Sequence, residues 1–167
     1  MGSKEHKELS PSYVKFAIIT LSDKRTEKTD ESGRIAKEIL GVAGHKMVAY
    51  HFISNDREKL EQLLETLTAD PEIDVIITIG GTGISKRDIT VEVVSSKLDK
   101  KLEGFGEIFR QLSYKEIGSA AVMSRAIAGV LNEKIVVCLP GSASAVKLAV
   151  SEILLNEIGH MVWEARR

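Results

Sequence analysis

An apolar run that ends in three glycines within four residues constrains this chain more than any other stretch. Val75–Ile76–Ile77–Thr78–Ile79 leads into Gly80–Gly81–Thr82–Gly83, and a polar tip follows through Ser85, Lys86, Arg87 and Asp88. The run has no alternation, so both faces of the strand should be buried, as in a parallel sheet. Gly80, Gly81 and Gly83 lack a Cβ, which lets backbone N–H groups come close to a ligand oxygen. A helix begins soon after, and a strand–glycine–helix turn is how an α/β protein builds an anion site beyond the carboxyl end of a strand. Asp88 is placed either to cap that helix or to hold a divalent cation. The loop matches neither common nucleotide fingerprint. Lys86 stands where the dinucleotide pattern needs glycine, and no Gly–Lys–Ser/Thr follows. The residues alone leave two readings open, a phosphate cradle and a tight turn.

The rest of the chain alternates strand and helix patterns. Strands are predicted over Lys15–Leu21, Lys46–Ile53 and Asp74–Ile79. Asp30 or Ser32 should cap a helix running to about Val42. A second helix starts at Ser54–Asn55–Asp56 and carries Leu60, Leu63, Leu64 and Leu67 at i, i+3, i+4 and i+7; there Asp56 reads as a cap. Val91–Leu98 forms a short helix, and Gly104 opens another. Ser124–Leu131 and Lys134–Leu139 read as strands about a tight Asn132–Glu133 connection. Leu139–Pro140–Gly141–Ser142 then starts the last helix, with Ser142 as a good N-cap. The pattern predicts one α/β domain over 13–167, a three-layer αβα sandwich with a mainly parallel sheet and an antiparallel edge strand, after a flexible tail over 1–12. In such a sheet the loops after the first strand, at the glycines and at Gly141 share one crevice.

The 167 residues carry 23 Lys and Arg against 24 Asp and Glu. This balance argues against nucleic acid as the main partner, while a local cationic cluster could still hold a small anion. Cys138 lies in an apolar strand pattern and reads as a buried small hydrophobe, which fits a reducing cytoplasm. His6, His45, His51 and His160 show no metal-ligand spacing. No stretch approaches the roughly 20 apolar residues that span a bilayer, so no membrane partner is expected.

Four ordered motifs resemble the MoaB/MogA family of molybdenum-cofactor biosynthesis proteins. They are Ser22–Asp23–Lys24–Arg25 with Asp30–x–Ser32–Gly33; Gly80–Gly81–Thr82–Gly83 with Arg87–Asp88–x–Thr90; Gly104–Phe105–Gly106–Glu107; and Ser124–Arg125 followed by Leu139–Pro140–Gly141–Ser142. The similarity runs from about Lys15 to about Ile158, and the runs at Phe105–Arg110 and Ser124–Val130 look more like the MoaB branch. Many relatives have proline where this chain has Val91 and Ala143.

The resemblance implies Mg²⁺-dependent transfer of AMP from ATP to molybdopterin, with Asp56 and Asp88 as catalytic and metal-holding carboxylates. It implies substrate binding by Ser22, Asp30, Gly80, Gly81, Thr82, Gly83, Arg87, Thr90, Ser124, Arg125, Pro140, Gly141 and Ser142. By spacing alone, Arg125 is a surface residue. A non-catalytic molybdopterin-binding or assembly protein of the same fold is the alternative, and retention of Asp56, Arg87 and Asp88 favours the enzyme. A generic nucleotide-binding domain explains the glycine loops but not four ordered motifs. The family further implies trimers, and the MoaB branch a hexamer of two trimers. Phe105, Ile108, Phe109 and Leu112 offer an apolar stripe for that assembly, with Val130, Leu131 and Trp163 as further apolar surface.

Overall fold

The computed structural model describes residues 8–167, so part of the expected tail over 1–12, together with His6, lies outside the described residues. Six strands, β1 (Lys15–Leu21), β2 (Lys46–Ile53), β3 (Val75–Ile79), β4 (Lys100–Lys101), β5 (Ile127–Leu131) and β6 (Lys134–Leu139), form one sheet in the order β2-β1-β3-β6-β5-β4. The first four in that order are parallel, with Ile18 opposite Ile77 and Ile77 opposite Val137. The remaining two pairings, β6 with β5 and β5 with β4, are antiparallel. The β5–β6 hairpin closes through Asn132 and Glu133, both at positive φ (50° and 60°), the two-residue turn whose twist matches paired strands.

Helices α1 (Glu31–Val42), α2 (Arg57–Ala69), α3 (Thr90–Lys97) and α4 (Glu103–Ile117) connect the strands. The chain ends in α5 (Ala143–Ala149), which passes through a π-helical turn (Val150–Leu154) into α6 (Leu155–Arg166). The apolar strand runs explain the layers. Along β1, Phe16 and Ile18 enter one core with Ala36 and Leu40 of α1, Phe105 and Phe109 of α4, Val146 of α5 and Leu154 of the π-helical turn. Ala17, Ile19 and Leu21 enter the other with Leu60 and Leu64 of α2 and Val93 and Val94 of α3. Strands buried on both faces have no polar side to show, hence no alternation.

The three-layer expectation holds, with differences at the edge. The strand expected from Ser124 begins at Ile127, because Gly118–Met123 winds into a 3₁₀ turn and Ser124 and Arg125 lie in the connection after it. The two-residue β4 escapes sequence reading: Lys100 and Lys101 are exposed, as suits a short, charged strand that discourages edge-to-edge pairing. The predicted stripe on α4 also divides. Phe105 and Phe109 are buried, Leu112 packs partly against them, and Ile108 is half exposed. The chain leaves β1 to form β2 on one side and returns to form β3 on the other, with α1 and α2 on opposite faces. Beyond the carboxyl ends of β1 and β3 lies a switch point, where open α/β sheets leave a crevice.

Candidate functional site

A cleft of about 460 Å³ occupies that switch point, lined by Thr20 to Arg25 after β1, Asn55 after β2, Ile79 to Gly83 with Ser85, Arg87 and Asp88 after β3, and Gly141 after β6. The glycine loop forms its wall. Gly80 and Gly81 adopt φ of 96° and 66°, a region that L side chains avoid. A Cβ on Gly80 would run into the Leu21 carbonyl, and one on Gly81 into Thr90 Oγ1 and Asn55 Oδ1.

Three successive carbonyls of the loop are held from behind. Thr90 Oγ1 donates to Gly80 O at 2.8 Å, Thr90 N–H donates to Gly81 O at 3.0 Å, and Arg125 Nε donates to Thr82 O at 2.8 Å. In a trans peptide the N–H points opposite the C=O. The following N–H groups, those of Gly81, Thr82 and Gly83, therefore face away from Thr90 and Arg125. None of the three donates to an acceptor elsewhere among the described residues. Three adjacent open donors are the feature that an anion-binding nest requires.

At the loop tip, Asp88 Oδ2 accepts from Ser85 N–H (3.0 Å) and Ser85 Oγ (2.6 Å). Asp88 does not cap α3: the N-cap position is Ile89, with no side-chain bond. The cap reading of Asp88 is thus replaced by a loop tie, in which Gly83 packs against the carboxylate. Across the cleft, Asp23 joins three loops. Its Oδ1 accepts from Asn55 N–H (3.0 Å), and its Oδ2 accepts from Asn55 Nδ2 (3.1 Å), Arg87 Nε (3.0 Å) and Arg87 Nη2 (2.8 Å). The bonds from Asn55, backbone first, and then from Arg87 hold the Asp23 carboxyl down at about 2. With Nδ2 on a carboxylate, the Asn55 amide has one sensible orientation, and its Oδ1 is buried without a partner beside Gly81.

The remaining expected site residues divide. Ser22, Gly80, Gly81, Thr82, Gly83, Arg87, Asp88 and Gly141 meet at the cleft. Ser22 Oγ accepts from Arg25 N–H at 3.1 Å and so shapes its own loop. Asp30, Asp56, Thr90, Ser124, Arg125, Pro140 and Ser142 are not among the lining residues. Asp30 is buried and accepts from Gly33 N–H, Thr20 Oγ1 and Tyr50 Oη, capping α1 and fastening it to β1 and β2; Ser32, the other candidate cap, sits inside the helix. Burial first, then the bond to Asp30, pushes the Tyr50 hydroxyl well above its ordinary value. Asp56 caps α2 by accepting from Lys59 N–H at 3.1 Å. Ser142 caps α5 through Ala145 N–H. Ser124 gives its carbonyl to Arg110, and Arg125 pairs with Glu92 of α3.

Asp23, Lys24, Arg25, Asn55 and Ser85 also line the cleft, beyond the residues that the resemblance implies. Asp23, Lys24 and Arg25 belong to the first of the four motifs, and Asn55 precedes Asp56. The distant partners of Asp23, Arg25 and Asn55, 32 to 116 residues away in the chain, could not be read from spacing. Arg25 Nη1 donates to Gly141 O at 2.9 Å, and Ser32 Oγ donates to the same carbonyl at 2.7 Å.

Among the described residues there is no group of three or more His, Cys, Asp or Glu placed to hold a metal ion. Magnesium needs no such cage, since it keeps several waters and binds through one or two carboxylates plus phosphate oxygens. Asp88 suits that role: it lies in the cleft and both Ser85 bonds use Oδ2, leaving Oδ1 for a cation. Asp56 is engaged at the start of α2. Cys138 is buried, its thiol pushed up to about 12 chiefly by burial, and His45 accepts from Val14 N–H.

Residues 17–160 match the family described as a probable molybdopterin binding domain. The chain is 46% identical over 168 aligned positions to molybdenum cofactor biosynthesis protein B of Bacillus cereus, covering 100% of this chain and 99% of that protein. A crystal structure of a molybdenum cofactor biosynthesis protein B superposes with a TM-score of 0.90 at 46% identity, covering 95% of this chain and 99% of the other. The tungsten cofactor synthesizing protein MoaB from Pyrococcus furiosus gives 0.83 at 42% identity, with 95% and 100% covered.

Proposed function

Because this chain belongs to the molybdopterin-binding family of molybdenum cofactor biosynthesis proteins, of the MoaB type, we propose that it transfers AMP from ATP to molybdopterin. An oxygen of the molybdopterin phosphate attacks the α-phosphorus of ATP, one P–O bond forms as the bond to the β-phosphate breaks, and pyrophosphate leaves. The nucleophile is already ionised at neutral pH, so the chemistry needs alignment and charge neutralisation more than a base. The observation that carries this reading is the nest of Gly81, Thr82 and Gly83 N–H groups facing a cleft that also holds Arg87 and Asp88.

In this reading the nest holds phosphate oxygens, Lys24 and Arg25 add positive charge at the mouth, and Asp88 holds Mg²⁺. Bound Mg²⁺ would neutralise phosphate charge and favour the leaving pyrophosphate. Asp56, beside Asn55, acts as a second carboxylate only if α2 brings it to the ion. Ser22 and Gly141 complete the floor, whereas Asp30, Thr90 and Ser142 fix the backbone around it.

Pyrophosphate release from ATP, measured with and without molybdopterin, tests the reading. Release only when both are present supports it; molybdopterin binding without ATP turnover identifies the non-catalytic binding protein. Asp88→Asn keeps an oxygen for both Ser85 bonds and removes the charge, so transfer should fall roughly 100-fold with the fold intact. The family's assembly belongs to the same proposal. Ile108, Tyr114, Ile117, Val122 and Met123 are exposed on α4 and the turn after it, an apolar surface that a trimer, or two trimers as a hexamer, would cover. The proposed site of action is the cytoplasm; among the described residues, no helix is long and apolar enough to cross a membrane.

A further inference from the structure

The resemblance has Arg125 grip substrate oxygens, yet three of its five N–H donors are already committed. Nε donates to Thr82 O at 2.8 Å, while Nη1 and Nη2 donate to Glu92 Oε1 at 2.6 Å and Oε2 at 3.1 Å. The fork is therefore bidentate on a carboxylate in the first turn of α3, with its third donor on the back of the glycine loop. Arg125 is outside the cleft lining, and Glu92 likewise. The bonds between them lower the Glu92 carboxyl and raise the Arg125 guanidinium, so both groups stay charged.

We propose that Glu92 and Arg125 are positioning residues, a brace that fixes the Thr82–Gly83 peptide so that Gly83 N–H faces the phosphate of the bound nucleotide. The inference rests on the adenylyl-transfer reading. Two of the three loop carbonyls are held by Thr90, which follows the loop directly; the third depends on a side chain 43 residues away. Gly83 has no Cβ to restrain it, and without the brace its peptide can turn over and withdraw one of the three donors. Glu92 keeps the guanidinium from swinging to a bound phosphate, which would exchange a backbone tie for a substrate contact.

The two roles for Arg125 predict opposite effects at Glu92. If Arg125 serves substrate directly, Glu92→Ala releases it and ATP binds as tightly or tighter. If the pair is a brace, Glu92→Ala weakens ATP binding by about tenfold, the loss of roughly one charge-assisted hydrogen bond. Arg125→Lys, which cannot reach Thr82 O and both Glu92 oxygens at once, should match it, and the double variant should be no worse than either single one. Calorimetric titration with ATP and Mg²⁺ reads these affinities, and a thermal melt confirms that each variant is folded. The ¹⁵N–¹H resonance of Gly83 without ligand is the independent measure, and it should shift in Glu92→Ala. An unmoved Gly83 resonance, or unweakened ATP binding in Glu92→Ala, overturns the brace. Failure of the wild-type protein to bind ATP overturns the adenylyl-transfer reading instead, and with it the nucleotide role assigned to Gly83 N–H.

Discussion

The junction after β3 places ten residues (80–89) between strand and helix, whereas the junction after β6 uses three (140–142). The short one behaves as strand–helix junctions usually do: Ser142 caps α5 with its own side chain and the chain moves on. The long one has no side-chain cap on its helix, holds two glycines at positive φ, and relies on Thr90, Arg125, Asp23 and Ser85 for its shape. Both have a carbonyl held by an arginine from another segment, Thr82 by Arg125 and Gly141 by Arg25. Both junctions reach the cleft, and the difference lies in how each backbone is fixed. The short turn is shaped by its own capping side chain, whereas the long one obtains its rigidity from side chains distant in the chain.

If that contrast is right, substitutions at the two junctions should differ widely. Gly81→Val should have the largest effect, because the residue needs φ of 66° and its side chain would collide with Thr90 Oγ1 and Asn55 Oδ1. A destabilisation of about 3 kcal/mol is expected, read by urea denaturation, and ATP affinity should fall in whatever fraction folds. An unchanged urea midpoint would show that the loop relaxes freely and is not a rigid cradle. Ser142→Ala should cost about 1 kcal/mol, the usual value of an N-cap, while leaving nucleotide affinity unaltered; a large loss of affinity would make Ser142 a ligand and erase the contrast.

The Asp23 clamp on Arg87 should appear as a smaller effect of acid. Its carboxyl is held below the ordinary 3.8, at about 2, so the stabilisation is present above pH 3.8 and disappears as the pH falls towards 2. Melting temperatures over that range should fall more steeply in the wild-type protein than in Asp23→Asn; parallel curves would remove Asp23 as the tie between the loops. Gly141→Ala should be the mildest change. Its Cβ would meet Gly80 Cα at 3.4 Å, ordinary packing distance, so the shift should stay within about 0.5 kcal/mol of zero. A loss comparable to that at Gly81 would mean that both junctions are equally strained.

Much of this architecture is written locally. Both cores follow from strands such as β1 and β3, whose unbroken apolar runs can be buried only on two faces, and the hairpin turn follows from its two residues at positive φ. Gly80–Gly81–Thr82–Gly83 announces a strand–loop–helix turn because only glycine tolerates those conformations cheaply. Tertiary structure decided what the polar residues around that turn do. Asp88, a cap or a ligand by position, ties the loop through Ser85; Arg125, a surface residue by spacing and a ligand by resemblance, grips Thr82 O and Glu92; Asp23 joins Asn55 and Arg87. Apolar burial depends on the average character of a segment, which periodicity records. A hydrogen bond depends on which atoms lie within about 3 Å, and for residues 32 to 64 positions apart only the folded sheet brings them there.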